Sequence, residues 1–403
     1  MRRSVVTALA SVVFALSGCI STPSGTPGEH APGSPPPSTE PGIASPSTAA
    51  VSIEPTIAAP SSPTGPTLAS GEELPVCTPT EPEASDTVTF IASGNAWAMS
   101  PDGDHLTCLF PVENPGPFQW GPLGDRVLLG GLEVKGVADG PSHAVSDQKV
   151  EAIEWSRPTG KSIVFAPPDG HSLAKVLVTG TTTQDVTPPL LESTFRSLSY
   201  HPSGEAIAFA MQQGDSQSIW MASNTGKNPG RLVFSEQGTT FGAIGFEADG
   251  KHLLYAAVLA KTHGLLFRID ITDTSKAPVV WAAPEGRTIV DIRPGLGNGS
   301  AAWTTETTCA DSIAMAQIRN GDVVRVLPDS SEPHRAVGWL SATQLLVASG
   351  GCDGPLALAS VDLSSGGVVP LASGVSVAAV RTPVATPPAP LPKLTATEGS
   401  GFG

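Results

Sequence analysis

The sequence predicts an all-β fold, on three observations. First, Ser197–Met211 (SLSYHPSGEAIAFAM) reads as a short alternating strand, a Pro/Gly turn and a second apolar strand, the order of an antiparallel hairpin. Second, the same order recurs in Phe118–Gly130, Ala152–Phe165 and Ala243–Tyr255, and more loosely in Ile289–Trp303 and Ala336–Ala348. Third, the units start near Phe118, Ala152, Leu198, Ala243, Val290 and Ala336, at offsets of 34, 46, 45, 47 and 46 residues. A period of ~40–50 residues with about four strands per repeat describes the blades of a β-propeller. A single propeller is expected, with seven blades, or six if Leu132–Val150 folds otherwise.

Taken in order, the chain opens on Met1–Cys19: two arginines, the apolar run Val5–Leu16, then Leu16-Ser17-Gly18-Cys19. A positive start, a short apolar stretch and small residues before a cut site make a secretory signal, too short for a stable membrane span. The last four residues resemble the lipobox of bacterial lipoproteins. That resemblance implies that Cys19 carries an acyl anchor of the palmitate type and becomes the new N-terminus, on the outer face of the cell membrane. Arg2-Arg3-Ser4-Val5-Val6 resembles a twin-arginine signal only loosely, so general secretion is expected.

Residues Ile20–Pro75 are dominated by Pro, Ser, Thr, Gly and Ala and show no hydrophobic periodicity. Such a stretch cannot bury enough surface to offset its ordering entropy, and it reads as a disordered tether. In the polyproline limit of ~3.1 Å per residue it would reach on the order of 170 Å.

The propeller is expected over residues 76–385, followed by a flexible tail over 386–403. Asp86–Phe110 reads as three strands, Thr87–Ala92, Asn95–Met99 and His105–Phe110, with turns at Gly94 and Pro101-Asp102-Gly103. It has no inner strand before it. Gly374–Thr382 adds one alternating strand with no hairpin behind it. Each half lacks what the other supplies, so the C-terminal strand is expected to close the ring as the innermost strand of the first blade. Closure removes exposed sheet edges.

The phrases Gly94-Asn95-Ala96-Trp97-Ala98-Met99-Ser100-Pro101-Asp102-Gly103 and Tyr200-His201-Pro202-Ser203-Gly204 resemble the repeats of TolB-like (PD40, WD40-like) β-propellers. Similar units cover roughly Asp86–Arg381. Two blades depart from the pattern, with Gly295–Gly299 and Leu340-Ser341-Ala342-Thr343 in place of the Asp-Gly turn. The resemblance implies a protein-interaction platform and does not identify the partner.

The formal net charge is -15, and no Lys or Arg occurs between Arg3 and Arg126. Such a surface repels phosphate backbones and argues against nucleic-acid binding. Apart from Cys19 there are four cysteines, an even number that suggests two disulfides in an exported chain. Position pairs Cys309 with Cys352, in equivalent loops of adjacent blades, and Cys77 with Cys108, at the start of the domain. A thiolate metal site would need CxxC spacing, which is absent.

No catalytic, cofactor or metal residues are assigned. Gly170-His171-Ser172-Leu173-Ala174 has the outline of a nucleophile elbow, but the strand-like Lys175-Val176-Leu177-Val178-Thr179 follows where a helix is required, so a hairpin loop is expected. Asp102 and Asp104 lack the later acidic positions of a calcium loop and read as turn residues. His105, His201 and His252 lie in or beside turns, without the i, i+4 spacing of a helical zinc site. Trp120, Trp155, Tyr200 and Trp339 recur at the ends of inner strands and read as packing between blades. Two function classes follow. The first is a lipid-anchored, monomeric, nonenzymatic platform for an envelope protein or a ligand. The second is a propeller lyase or hydrolase with its site in the central funnel.

Overall fold

The structure, a computed structural model, describes residues 65–382 apart from positions 114, 131–132, 138–139, 141, 147–149, 151, 181, 190–193, 215, 228–229, 238, 260–262, 285 and 353. The signal segment with Cys19, most of the tether and the tail over 386–403 lie outside the described residues. The chain is all-β, with seven four-stranded antiparallel blades. The span 132–150 supplies Glu133–Gly136 and Ser142–Ala144, the outer strands of blade 2, and so settles the count at seven.

Blade 1 is ordered Val377–Val380, Val88–Ala92, Asn95–Met99, Leu106–Pro111, so the last strand of the domain is the innermost strand of its first blade. Val88, Thr89, Phe90 and Ile91 pair antiparallel with Val380, Ala379, Ala378 and Val377. The ring therefore closes as the sequence predicts.

The core is a ring of seven apolar clusters, each filling one seam between consecutive blades. Geometry explains the repeating sequence pattern. The second strand of a blade packs on neighbours through both faces, so Val88–Ala92, Ser162–Ala166 and Ala206–Met211 are buried at every residue. A strand covered on both faces reads as a continuous apolar run, whereas half-covered strands alternate.

The domain starts earlier than Val76. Thr67–Leu68, expected in the tether, pairs with Ser373 and Ala372 as a fifth, outer strand of blade 7. Backbone pairing at an open edge needs no hydrophobic periodicity, which is why composition did not reveal it. Ten residues later Cys77 stands at disulfide distance from Cys108 on the outer strand of blade 1, with Cα atoms 5.4 Å apart. Residues 67–77 thus strap the outside of the closing seam, and Leu68, Leu74 and Cys77 pack on its apolar cluster.

At the end of the ring where inner strands finish, the hairpin turns interlock. Arg381 Nε donates to the Gly124 carbonyl at 3.1 Å, and its guanidinium lies 5.3 Å from the centre of Trp120. Gly160 abuts Pro122, and Gly204 abuts the Arg157 carbonyl. His201 Nε2 is 2.7 Å from the Gly250 carbonyl oxygen, and Gly299 N donates to Glu247 at 3.1 Å. Trp339 Nε1 donates to the Arg293 carbonyl at 2.9 Å. Each contact joins one blade to the next.

Two tests follow from this packing. A Cβ at Gly204, whose φ is +80°, would fall 1.8 Å from the Arg157 carbonyl oxygen. Gly204→Ala should therefore cost about 2–4 kcal/mol in denaturant unfolding, through clash and left-handed strain; an unchanged midpoint would contradict the interlock. Cys77→Ser should cost about 2–4 kcal/mol by opening the strap, read as a lower thermal midpoint under non-reducing conditions.

Candidate functional site

The opposite end of the ring, where inner strands begin, holds a cavity of about 510 Å³ walled by blades 6, 7 and 1. Local irregularity in the inner strands builds it. The ladder slips between Ile289 and Asp291 in blade 6 and between Ala336 and Gly338 in blade 7. A bulge leaves one residue out of the pairing and re-aims its side chain. The bulged residues here, Val290 and Val337, both line the cavity. Val290 is 45% exposed, unusual for an apolar side chain on an inner strand. Val377 of the closing strand completes the apolar wall.

Charged groups sit among these side chains in two arrangements. Arg293 Nη2 and Asp291 Oδ2 form an ion pair at 2.8 Å. Arg335 makes no such pair among the described residues. Its Nε donates to Ser312 Oγ at 3.3 Å and its guanidinium touches Cys309 Sγ. Ser312, buried, donates to Glu306 Oε2 at 2.8 Å and lies 3.0 Å from the Cys309 carbonyl.

The loop carrying these partners is firmly built. Cys309–Asp311 is a single 3-10 turn closed by Asp311, whose carboxylate accepts from the Thr307 and Thr308 amides at 2.9 and 3.0 Å. Hydrogen bonds, first from the Thr307 hydroxyl, hold the Asp311 carboxyl down to about 2. Cys309 stands at disulfide distance from Cys352 of blade 7, with Cα atoms 5.6 Å apart, tying the loop across the seam.

Elsewhere on the inner strands, Glu154 of blade 3 accepts from Gln119 Nε2 at 3.4 Å and lies 3.7 Å from Arg157. Burial pushes its carboxyl up, opposed by Arg157, Gln119 and Arg293. Glu247, Asp249 and His252 present ligand-type atoms close together, but these are engaged. Both Glu247 oxygens accept from Arg268, one at 2.9 Å, and Asp249 Oδ2 is 2.9 Å from His252 Nδ1. The cluster reads as an electrostatic clasp of the blade 5 turn.

The residues singled out in the sequence fall as follows. Both cysteine pairings are present at bonding distance. Gly170 to Leu173 lie in the loop between Ser162–Ala166 and Ala174–Leu177, and a strand, not a helix, follows Ser172. Asp102 accepts from Ser100 and from the Asp104 amide, as a turn residue does. Trp120, Trp155, Tyr200 and Trp339 are buried, and Trp120 Nε1 reaches back to Thr89 of the preceding blade at 2.9 Å. His105 sits 2.8 Å from the buried Asp86, whose hydrogen bond pushes the imidazole up. Sequence reading missed Arg335, Ser312 and Glu306. Nothing but an arginine within the apolar inner strand HRAVGW could have flagged them.

No family model matches the chain, and no curated protein matches it. Its fold is similar to that of solved propellers. A putative TolB from Agrobacterium tumefaciens is 16% identical, covering 58% of this chain and 87% of that one, with a TM-score of 0.44. TolB from Acinetobacter baumannii is 11% identical over 74% of this chain and 67% of that one, at 0.44. The Cps50 (Swd1) propeller domain of Myceliophteria thermophila is 14% identical over 68% and 96%, at 0.45. These likenesses concern the fold alone.

Buried histidines set a pH dependence. Burial lowers the pKa of both His201 and His334, whose Nδ1 atoms lie 2.8 Å from Ser203 Oγ and 2.9 Å from the Glu332 carbonyl. A depressed folded value means the unfolded chain binds protons first. Their contribution is complete above the unfolded value of about 6.5 and is lost as pH falls through the folded values. His105, with its raised value, acts in the opposite sense, so the comparison carries the test: between pH 7 and pH 5 the urea midpoint of the His201→Gln/His334→Gln double variant should fall less, or rise more, than that of the parent.

Proposed function

We propose that the chain is a lipid-anchored, extracytoplasmic propeller of the bacterial cell envelope. It acts as a nonenzymatic platform that recognises an envelope protein or a ligand on the end of the ring where inner strands begin. The observation that carries this reading is the cavity at that end, which holds an arginine with no ion-pair partner among the described residues. Surface concavities with a few polar groups in apolar walls are the usual form of a recognition site. The envelope location rests on the lipobox-like Leu16-Ser17-Gly18-Cys19 and the Pro/Ser/Thr-rich tether behind it.

The test is in-cell crosslinking of the anchored protein followed by mass spectrometry. Capture of one dominant protein through the cavity end is expected; capture through the tether, or of abundant background proteins alone, would overturn the platform. Cys19→Ser should move the protein from the membrane to the soluble fraction, and continued retention would refute the anchor. The competing reading, a funnel lyase or hydrolase, draws on the raised carboxyl of Glu154. Glu154→Gln should leave partner capture unchanged on the platform reading.

A further inference from the structure

The cavity of blades 6, 7 and 1 presents two opposite charges that do not pair with each other. Arg335 and Glu306 both line it, and neither takes part in an ion pair among the described residues. They are held apart by one side chain, since Ser312 Oγ accepts from Arg335 Nε at 3.3 Å and donates to Glu306 Oε2 at 2.8 Å. The other acid and base of the cavity, Asp291 and Arg293, neutralise one another at 2.8 Å. What remains is a cation and an anion separated by one hydroxyl, facing a wall of Val290, Val337 and Val377.

The geometry points to a zwitterion with an apolar body, a free amino acid or a short peptide. Its carboxylate meets Arg335, its ammonium meets Glu306, and its side chain lies on the valine wall. Ser312 and Cys309 hold Nε and Nη2 of Arg335, which leaves Nη1 for the carboxylate and orients the side chain beforehand, so little rotamer freedom is lost on binding. The half-exposed Val290 gains cover from water only when an apolar group sits against it. The assignment rests on the recognition-platform reading and gives it a ligand class.

Isothermal titration of the purified full chain tests it with leucine and leucyl-leucine, and with N-acetyl-leucine and leucinamide as single-charge controls. At least one zwitterion should bind, and removing either charge should weaken binding tenfold or more. A tenfold loss is 1.4 kcal/mol, within reach of one charge-assisted hydrogen bond. Glu306→Gln, which keeps an acceptor for Ser312, should abolish the preference for leucine over N-acetyl-leucine. Arg335→Gln should abolish the preference over leucinamide. Val290→Asp, at a half-exposed position, weakens the carboxylate-bearing probes by repulsion and serves if Arg335→Gln does not fold. Binding of leucine alone assigns a free amino acid, and binding of leucyl-leucine alone assigns a peptide. No binding at millimolar probe, or equal binding of capped and uncapped probes, overturns the proposal and leaves the crosslinking test standing. Release of leucine from leucyl-leucine would instead overturn the nonenzymatic reading.

Discussion

The pairing of Val377–Val380 with Val88–Ile91 is the contact on which every other seam relies. A blade of this protein is apolar on both faces and cannot be an end piece. Left open, blades 1 and 7 would each expose half of a cluster that contains Phe90, Trp97, Met99, Leu346 and Leu358. Closure spans nearly the whole domain in sequence, so its loop entropy is among the largest the fold must overcome. The strap of residues 67–77 reinforces that one seam from outside, with a strand on blade 7 and a sulfur contact on blade 1.

Closure also makes the two ends of the ring unlike each other. Hairpin turns at one end approach so closely that glycine is required at Gly204, where a carbonyl occupies the space of a Cβ. Contacts of that kind fix the blades' spacing and leave the turn end engaged. At the other end the inner strands bulge at Val290 and Val337. Blades also touch at this end, where Gly264 N and His334 N donate to the Arg287 and Ser312 carbonyls at 2.9 Å. The Cys309–Cys352 tie joins the loops of blades 6 and 7 directly beside the cavity, which Cys309 lines.

The polar groups buried on the way illustrate the same economy of placement. Glu247 is fully buried, yet Arg268 and the Gly299 amide satisfy it, and the Gly299 contact reaches into blade 6. Asp86 is likewise buried and accepts from Thr107 Oγ1 at 3.1 Å and from the Glu83 amide at 3.0 Å. Buried carboxylates survive only where such partners exist. In this chain they are used to fix turns and the start of the first blade.

The sequence by itself determined the class of fold, the repeat length, the closing strand and both cysteine pairings. These follow from local rules: a period of apolar residues, turn chemistry, and loops that recur at equivalent places in adjacent blades. It read Asn95–Met99 to the residue, and it read the Leu132–Val150 span poorly because short, half-exposed outer strands carry little periodicity. Only the tertiary structure decided that Thr67–Leu68 belongs to blade 7, that the bulges fall at Val290 and Val337, and that Arg335, Ser312 and Glu306 meet. A strand added by backbone pairing leaves no side-chain pattern. A cavity assembled from three blades depends on residues far apart in the chain: the seam of blades 6 and 7 brings Arg335 to Ser312, and ring closure adds Val377.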